Sequence, residues 1–178
     1  MAIIVVEGID RVGKTTVANM IRDNMDVEPH LKFSLFKHDE SFISYNQMDS
    51  DNEADKMSQL LTIADTFSNN VIFDRFHLSD FVYGVVNRGY KFSKAYSNMQ
   101  SIDIMLSEMR SVLVYVRPVD LKRSSDEHGS SLDMHHRLME AAFEDSFMNK
   151  IAVDYSVVED DDRFNCMMDS IRAHLKGY

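Results

Sequence analysis

Gly8-Ile9-Asp10-Arg11-Val12-Gly13-Lys14-Thr15 follows the pattern G-x-x-x-x-G-K-[ST], and the reading of these residues decides the fold. Two glycines let the backbone wrap tightly, so that successive N–H groups can face phosphate oxygens. Lys14 supplies a positive charge suited to the β- and γ-phosphates of ATP, and the Thr15 hydroxyl can hold Mg²⁺. Gly8, Val12, Gly13, Lys14, Thr15 and Thr16 are therefore the expected nucleotide-binding set. The flanks agree with the motif. Upstream, Ala2-Ile3-Ile4-Val5-Val6 is a short β-branched run of the kind found in a buried parallel strand. Downstream, Val17, Met20, Ile21 and Met25 recur at helical spacing on a helix whose N-terminus favours anions.

Working outward, the chain alternates apolar runs with helical patterns. A second strand is expected near residues 32–37, a third at Val71-Ile72-Phe73, a fourth at 112–116 and a fifth within 151–158. Helices are expected over roughly 56–68, 78–87, 94–109, 131–149 and 162–176, with Met57, Leu60, Leu61, Ala64 and Phe67 as the apolar face of the first of these. Residues 39–56 are polar and acidic and read as a loop or the frayed start of that helix. Strand–helix alternation implies a parallel sheet covered on both faces, with ligands at the carboxyl ends of the strands. The expected architecture is a single three-layer α/β domain spanning residues 1–178 around a five-stranded parallel sheet, with a short lid near 118–130.

Composition narrows the function classes. The chain has 178 residues and a net charge of −10, without a basic cluster, so a nucleic acid is not an expected partner. The single cysteine, Cys166, excludes an internal disulfide and fits a reducing, cytoplasmic setting. No leader pattern and no long apolar run point to export or to a membrane. The 13 methionines read as flexible core filler.

A second constellation follows the third strand, where Val71-Ile72-Phe73 runs into Asp74-Arg75-Phe76. Arginine suits bidentate phosphate recognition. Asp74 can order Mg²⁺ or accept a proton from an attacking hydroxyl. The plainer alternative is a local ion pair at the start of the next helix.

Glu7-Gly8-Ile9-Asp10-Arg11-Val12-Gly13-Lys14-Thr15-Thr16, followed by Asp74-Arg75-Phe76, resembles the thymidylate kinase family. Leu60-Leu61-Thr62-Ile63-Ala64-Asp65 is similar to the Leu-Leu-Phe-x-Ala-x-Arg helix of that family, and the run from Asp74 to Val82-Tyr83-Gly84 is similar to its compact, often phage-encoded members. The resemblance implies that Asp10 contacts the deoxyribose 3′-hydroxyl, Arg75 holds the acceptor monophosphate and Asp74 orders Mg²⁺. Some members carry a catalytic arginine in the phosphate loop and others in the lid. The stretch 124–130 has no arginine, so Arg11 takes that role beside Lys14 and Asp74. Arg117 and Arg123 stand where the resemblance puts arginines over adenine or phosphates. The Phe-Pro-x-Arg segment of the family is reduced here to Phe36-Lys37-His38, and the arginine of the helix motif is Thr66. The acceptor set becomes Asp10, Phe36, Lys37, Arg75, Phe76 and Tyr83. Among Phe36, Phe76, Phe81 and Tyr83, most belong in the core and Phe36 is the candidate for stacking on a base.

His128, His135, His136 and Asp133 do not read as a metal site, because adjacent helical histidines diverge; a solvated helix face is expected. Glu159-Asp160-Asp161-Asp162 reads as an acidic cap on the last helix. The expected activity is transfer of the ATP γ-phosphate to a deoxynucleoside monophosphate, dTMP or a related pyrimidine, with Mg²⁺. The family resemblance also suggests a homodimer. Two alternatives stay open: a deoxynucleoside kinase, in which Asp74 is a base for a 5′-hydroxyl, and a nucleotide-binding module without turnover.

Overall fold

β1 (Ile3–Glu7) is buried along its whole length, which its β-branched run anticipates. It lies at the middle of a five-stranded parallel sheet in the order β2-β3-β1-β4-β5, with β2 at Phe33–Lys37, β3 at Asn70–Asp74, β4 at Ser111–Arg117 and β5 at Asn149–Asp154. The computed structural model describes residues 1–25, 33–37, 50–67, 70–119 and 132–176. Within these, helices α1 (Lys14–Met25), α2 (Ser50–Thr66), α3 (His77–Asn87), α4 (Phe92–Ser107), α5 (Leu132–Asp145) and α6 (Asp161–Lys176) flank the sheet, and a 3-10 helix spans Tyr155–Val158.

Register puts the chemistry on one edge. Val6 of β1 pairs with Asp74 of β3, which pairs with Lys37 of β2, so Asp74 and Lys37 end their strands beside the next-to-last residue of β1. The phosphate loop leaves the sheet immediately after Glu7 and the Asp74-Arg75-Phe76 turn leaves beside it. Ile3, Ile4, Val5, Val6, Ile72, Leu113 and Val114 lie in a core where each such side chain stabilises by about 1.5–3 kcal/mol. That core holds the two loops against each other.

Several boundaries differ from those the periodicity predicts, each for a local reason. α2 starts at Ser50, inside the acidic stretch, because Asp51 and Glu53 in its first turn complement the helix dipole. Asn98 of α4 donates to Asp51 at 2.9 Å, and Lys56 pairs with the buried Glu53 at 2.7 Å. Residues 38–49 lie outside the described set. α5 ends at Asp145 because Asp103 of α4 captures the turn that follows: it accepts from Ser146 Oγ at 2.6 Å and from the Phe147 N–H at 2.6 Å. Asp103 also bonds His77 Nε2 at 3.0 Å. Burial works against its charge, but the bonds from His77 and Ser146 hold its carboxyl below the usual value. β5 gives way to the 3-10 helix because Asp154 accepts from the Ser156 N–H at 2.9 Å. Asp160 accepts from the Asp162 and Arg163 N–H groups, both at 3.1 Å, and caps α6 as the acidic turn suggests.

His135 corrects the expectation of a solvated face. It is buried between α5 and α3, bonded through Nε2 to Asn87 Oδ1 at 3.0 Å, with its ring 4.8 Å from that of Tyr83. Asp133, by contrast, is exposed and pairs with Arg137.

Candidate active site

The phosphate loop needs its glycines at specific points. Gly8 has φ +151°, and a Cβ there would stand 2.5 Å from the Val116 carbonyl oxygen of β4. Gly13 has φ +89°, and a Cβ would stand 2.1 Å from the ring of Tyr155, which rests on the loop from the end of β5. Val12 is buried beneath the loop, while Thr16 faces outward. The Val17 N–H donates to the Gly13 carbonyl at 3.0 Å and opens α1.

Lys14 is almost wholly buried, with Nζ folded back to donate to the Ile9 carbonyl of its own loop. Burial lowers its ammonium to a pKa of about 8, and the positive charge of Arg75 pushes the same way. The carboxylates of Asp10, Glu7 and Asp74 oppose the shift without cancelling it. An incoming triphosphate would add the negative charge needed to offset what these carboxylates leave uncancelled.

Thr15 Oγ1 donates to Asp74 Oδ2 at 2.5 Å, joining the start of α1 to the end of β3. Asp74 is buried, and its Oδ1 has no hydrogen-bond partner. Among the described residues no three His, Cys, Asp or Glu side chains gather as a protein-only cage. A hydroxyl, one carboxylate and a spare carboxylate oxygen nevertheless fit Mg²⁺, which keeps several waters and takes its remaining ligands from substrate phosphates. Thr15 and Asp74 are the residues that would hold it.

Arg11 and Arg75 are the non-glycine residues with positive φ among the described residues, at 61° and 69°. Left-handed backbone at a side chain of this size costs of order 1–3 kcal/mol and persists where surrounding contacts enforce it. Around Arg75 those contacts are visible. Its N–H donates to the Val6 carbonyl at 3.0 Å, its guanidinium pairs with Asp10, and it lies 5.7 Å over the ring of Tyr83. Burial and the neighbouring Asp10 carboxylate push the Tyr83 hydroxyl well above its ordinary pKa, so it stays a neutral hydrogen-bonding group for Asp10. Asp10, Arg75 and Tyr83 thus form one fixed cluster beside the phosphate loop. Arg11 is exposed on the loop itself.

The other residues read from the sequence are placed as follows. Lys37 is exposed at the end of β2, in register with Asp74. Phe36 is half exposed and lines a small apolar groove with Leu60, Ile63, Ala64, Val71 and Phe73. Phe76 and Tyr83 sit in the core beside the Asp74-Arg75 turn: Phe76 stacks on Phe73 at 4.2 Å, and the Tyr83 ring packs between Arg75 and His135. They support the site from beneath. Arg117 is exposed, and its charge meets Glu140 at 3.2 Å and Glu144 at 3.6 Å on α5. Arg123, His128 and most of the expected lid fall within residues 120–131, outside the described set. The sequence reading missed Tyr155, whose only signal is an aromatic just past the fifth strand, and gave Glu7 no role.

The YorR protein of Bacillus subtilis, in complex with phosphorylated GDP, superposes with a TM-score of 0.67 at 18% identity, over 97% of this chain and 98% of that one. This chain has the thymidylate-kinase-like P-loop kinase fold. Thymidylate kinase from Ehrlichia chaffeensis superposes on it with a TM-score of 0.60 at 13% identity, over 93% of this chain and 96% of that chain. No family model matches the sequence, and no curated protein matches it. The P-loop kinase fold is thus evident in backbone geometry where overall sequence similarity has faded. No helix among the described residues is long and apolar enough to cross a membrane.

Proposed function

We propose that the chain is an ATP-dependent nucleoside monophosphate kinase, with dTMP or a related pyrimidine deoxynucleotide as first acceptor. The observation that carries this is the second fixed cation. Arg75 is held by its backbone, by Asp10 and by Tyr83 at the strand edge that carries the phosphate loop, where an acceptor phosphate would meet the γ-phosphate. One neighbour by fold is a thymidylate kinase and another binds a phosphorylated guanine nucleotide, so guanine monophosphates are the next acceptors.

The chemistry is in-line transfer. An ionised oxygen of the acceptor phosphate forms a bond to the γ-phosphorus, the bond to the β–γ bridging oxygen breaks, and ADP leaves with that electron pair. No proton has to be removed from the nucleophile, so positioning and charge stabilisation carry the catalysis. The loop N–H groups and Lys14 hold the donor phosphates, Arg75 holds the acceptor phosphate, and Arg11 reaches the transferring group from the loop. Mg²⁺ held by Thr15 and Asp74 would neutralise charge on the donor phosphates. Asp74 is buried and bonded to Thr15, an arrangement that favours this role over that of a base for a nucleoside hydroxyl.

Arg75→Ala is expected to raise the acceptor KM by roughly 10- to 100-fold, the worth of a charge-assisted pair, with the KM for ATP changed by less than about 3-fold. Steady-state kinetics with each substrate varied in turn measures this. An acceptor KM that stays put would remove Arg75 from the site and the monophosphate with it.

A further inference from the structure

α3 begins without a cap of its own. Its first intrahelical bond runs from the Asp80 N–H to the Phe76 carbonyl at 3.1 Å, which leaves the N–H groups of residues 76–79 without helical partners. Phe76, at the capping position, has no side-chain acceptor to offer. The acceptor comes instead from β1. Glu7 is fully buried, and its Oε1 takes the N–H groups of Phe76 at 2.9 Å, Leu78 at 3.1 Å and Ser79 at 3.2 Å, while Oε2 takes the Ser79 hydroxyl.

The location of this clamp matters more than its strength. Val6 accepts the Arg75 N–H and Glu7 accepts the Phe76 N–H, so two consecutive β1 residues hold two consecutive residues of the turn. The next residue of β1 is Gly8, where the phosphate loop starts. Glu7 is also an anion already seated on a helix N-terminus, a place that otherwise attracts phosphate. With the α3 N-terminus filled, the α1 N-terminus remains for the donor phosphates, and an acceptor phosphate is left to the Arg75 guanidinium.

We propose that Glu7 is a positioning residue that clamps the first turn of α3 to the strand feeding the phosphate loop, and so sets where Arg75 meets the acceptor phosphate. This rests on the role given to Arg75 under the proposed function.

Two conservative variants separate geometry from charge. Glu7→Gln loses the charge but keeps an oxygen for the three N–H groups, and its amide can donate to the Ser79 hydroxyl. Glu7→Asp keeps the charge and withdraws the carboxylate by about 1.5 Å, one carbon–carbon bond. Glu7→Gln is expected to raise the acceptor KM less than about 3-fold and Glu7→Asp by about 10-fold or more, with the KM for ATP changed less than about 3-fold in both. In an Arg75→Ala background Glu7→Asp should add less than about 3-fold, since residues acting through one group do not add. The reverse order, with Glu7→Gln impaired and Glu7→Asp intact, would overturn the proposal, as would equal losses for ATP and acceptor. Amide exchange at Phe76, Leu78 and Ser79 reads the clamp without any acceptor: protection should persist in Glu7→Gln and fall in Glu7→Asp, and unchanged protection in both would also overturn it. A wild-type protein inert toward every monophosphate would sink the functional reading alone, leaving amide exchange to decide for or against the clamp.

Discussion

Lys14→Met is expected to abolish turnover and at the same time to stabilise the ligand-free protein. The loss should exceed about 10³-fold in kcat/KM, because the ammonium meets charge that grows on the transferring group in a site shielded from water. The gain follows from the cost of the same ammonium in the absence of phosphate. It is buried, it donates to a loop carbonyl, and its pKa falls from 10.5 to about 8. The unfolded chain therefore binds more protons than the folded one between pH 8 and 10.5, and this group's contribution to stability improves as pH rises through that window. Below pH 8 both states carry the charge and the folded state bears the full penalty. Methionine removes the charge at similar length, so thermal denaturation at pH 7 should show a higher Tm for the variant, with the difference shrinking by pH 10. Bound phosphate is expected to raise the Lys14 pKa again, so nucleotide affinity of the wild type should weaken as pH climbs above about 8. A variant with lowered Tm, or an affinity flat from pH 7 to 10, would show that the ammonium is not the stored charge described here.

Arg11→Ala should cost about 10³-fold or more in kcat, the range in which a positioned arginine acts on phosphoryl transfer, and should leave ATP affinity within a few-fold. The side chain stands on the loop proposed to hold the donor phosphates, and its backbone is left-handed. In the proposed transfer its contribution would belong to the transition state, when charge spreads over the moving phosphoryl group, more than to bound ATP. Arg11→Lys should recover little, since an ammonium cannot bridge two phosphates with a planar fork. Single-turnover kinetics beside calorimetric ATP titration separates the two effects. A variant with near wild-type turnover would pass the catalytic charge to another residue.

What the sequence disclosed is what local pattern encodes. The phosphate loop, the strands beside it and the Asp74-Arg75 turn are short contiguous signals, and strand alternation carries them to one sheet edge without knowledge of any long-range contact. Other features depend on partners far along the chain. Glu7 reads as a stray charge after an apolar strand, because the N–H groups it serves lie 69 to 72 residues later. The end of α5 is set by Asp103, 43 residues before Ser146. His135 is polar on an otherwise amphipathic helix, and only the packing of α3 shows that it faces inward to Asn87 and Tyr83. Phe76 and Tyr83 follow the same logic: their position beside Asp74 and Arg75 is legible in the sequence, and their burial is not. The Asp10–Arg75 pair joins two residues that the sequence assigns to separate contacts on the acceptor.

The most direct measurement is ATP consumption with Mg²⁺ across a panel of nucleosides and nucleoside monophosphates, including dTMP, other pyrimidine deoxynucleotides and guanine monophosphates. The account predicts turnover with a monophosphate and none with the corresponding nucleoside, because Arg75 has a phosphate to hold only in the former. Turnover with nucleosides alone would contradict it, placing a hydroxyl where the acceptor phosphate is expected and making Asp74 the base.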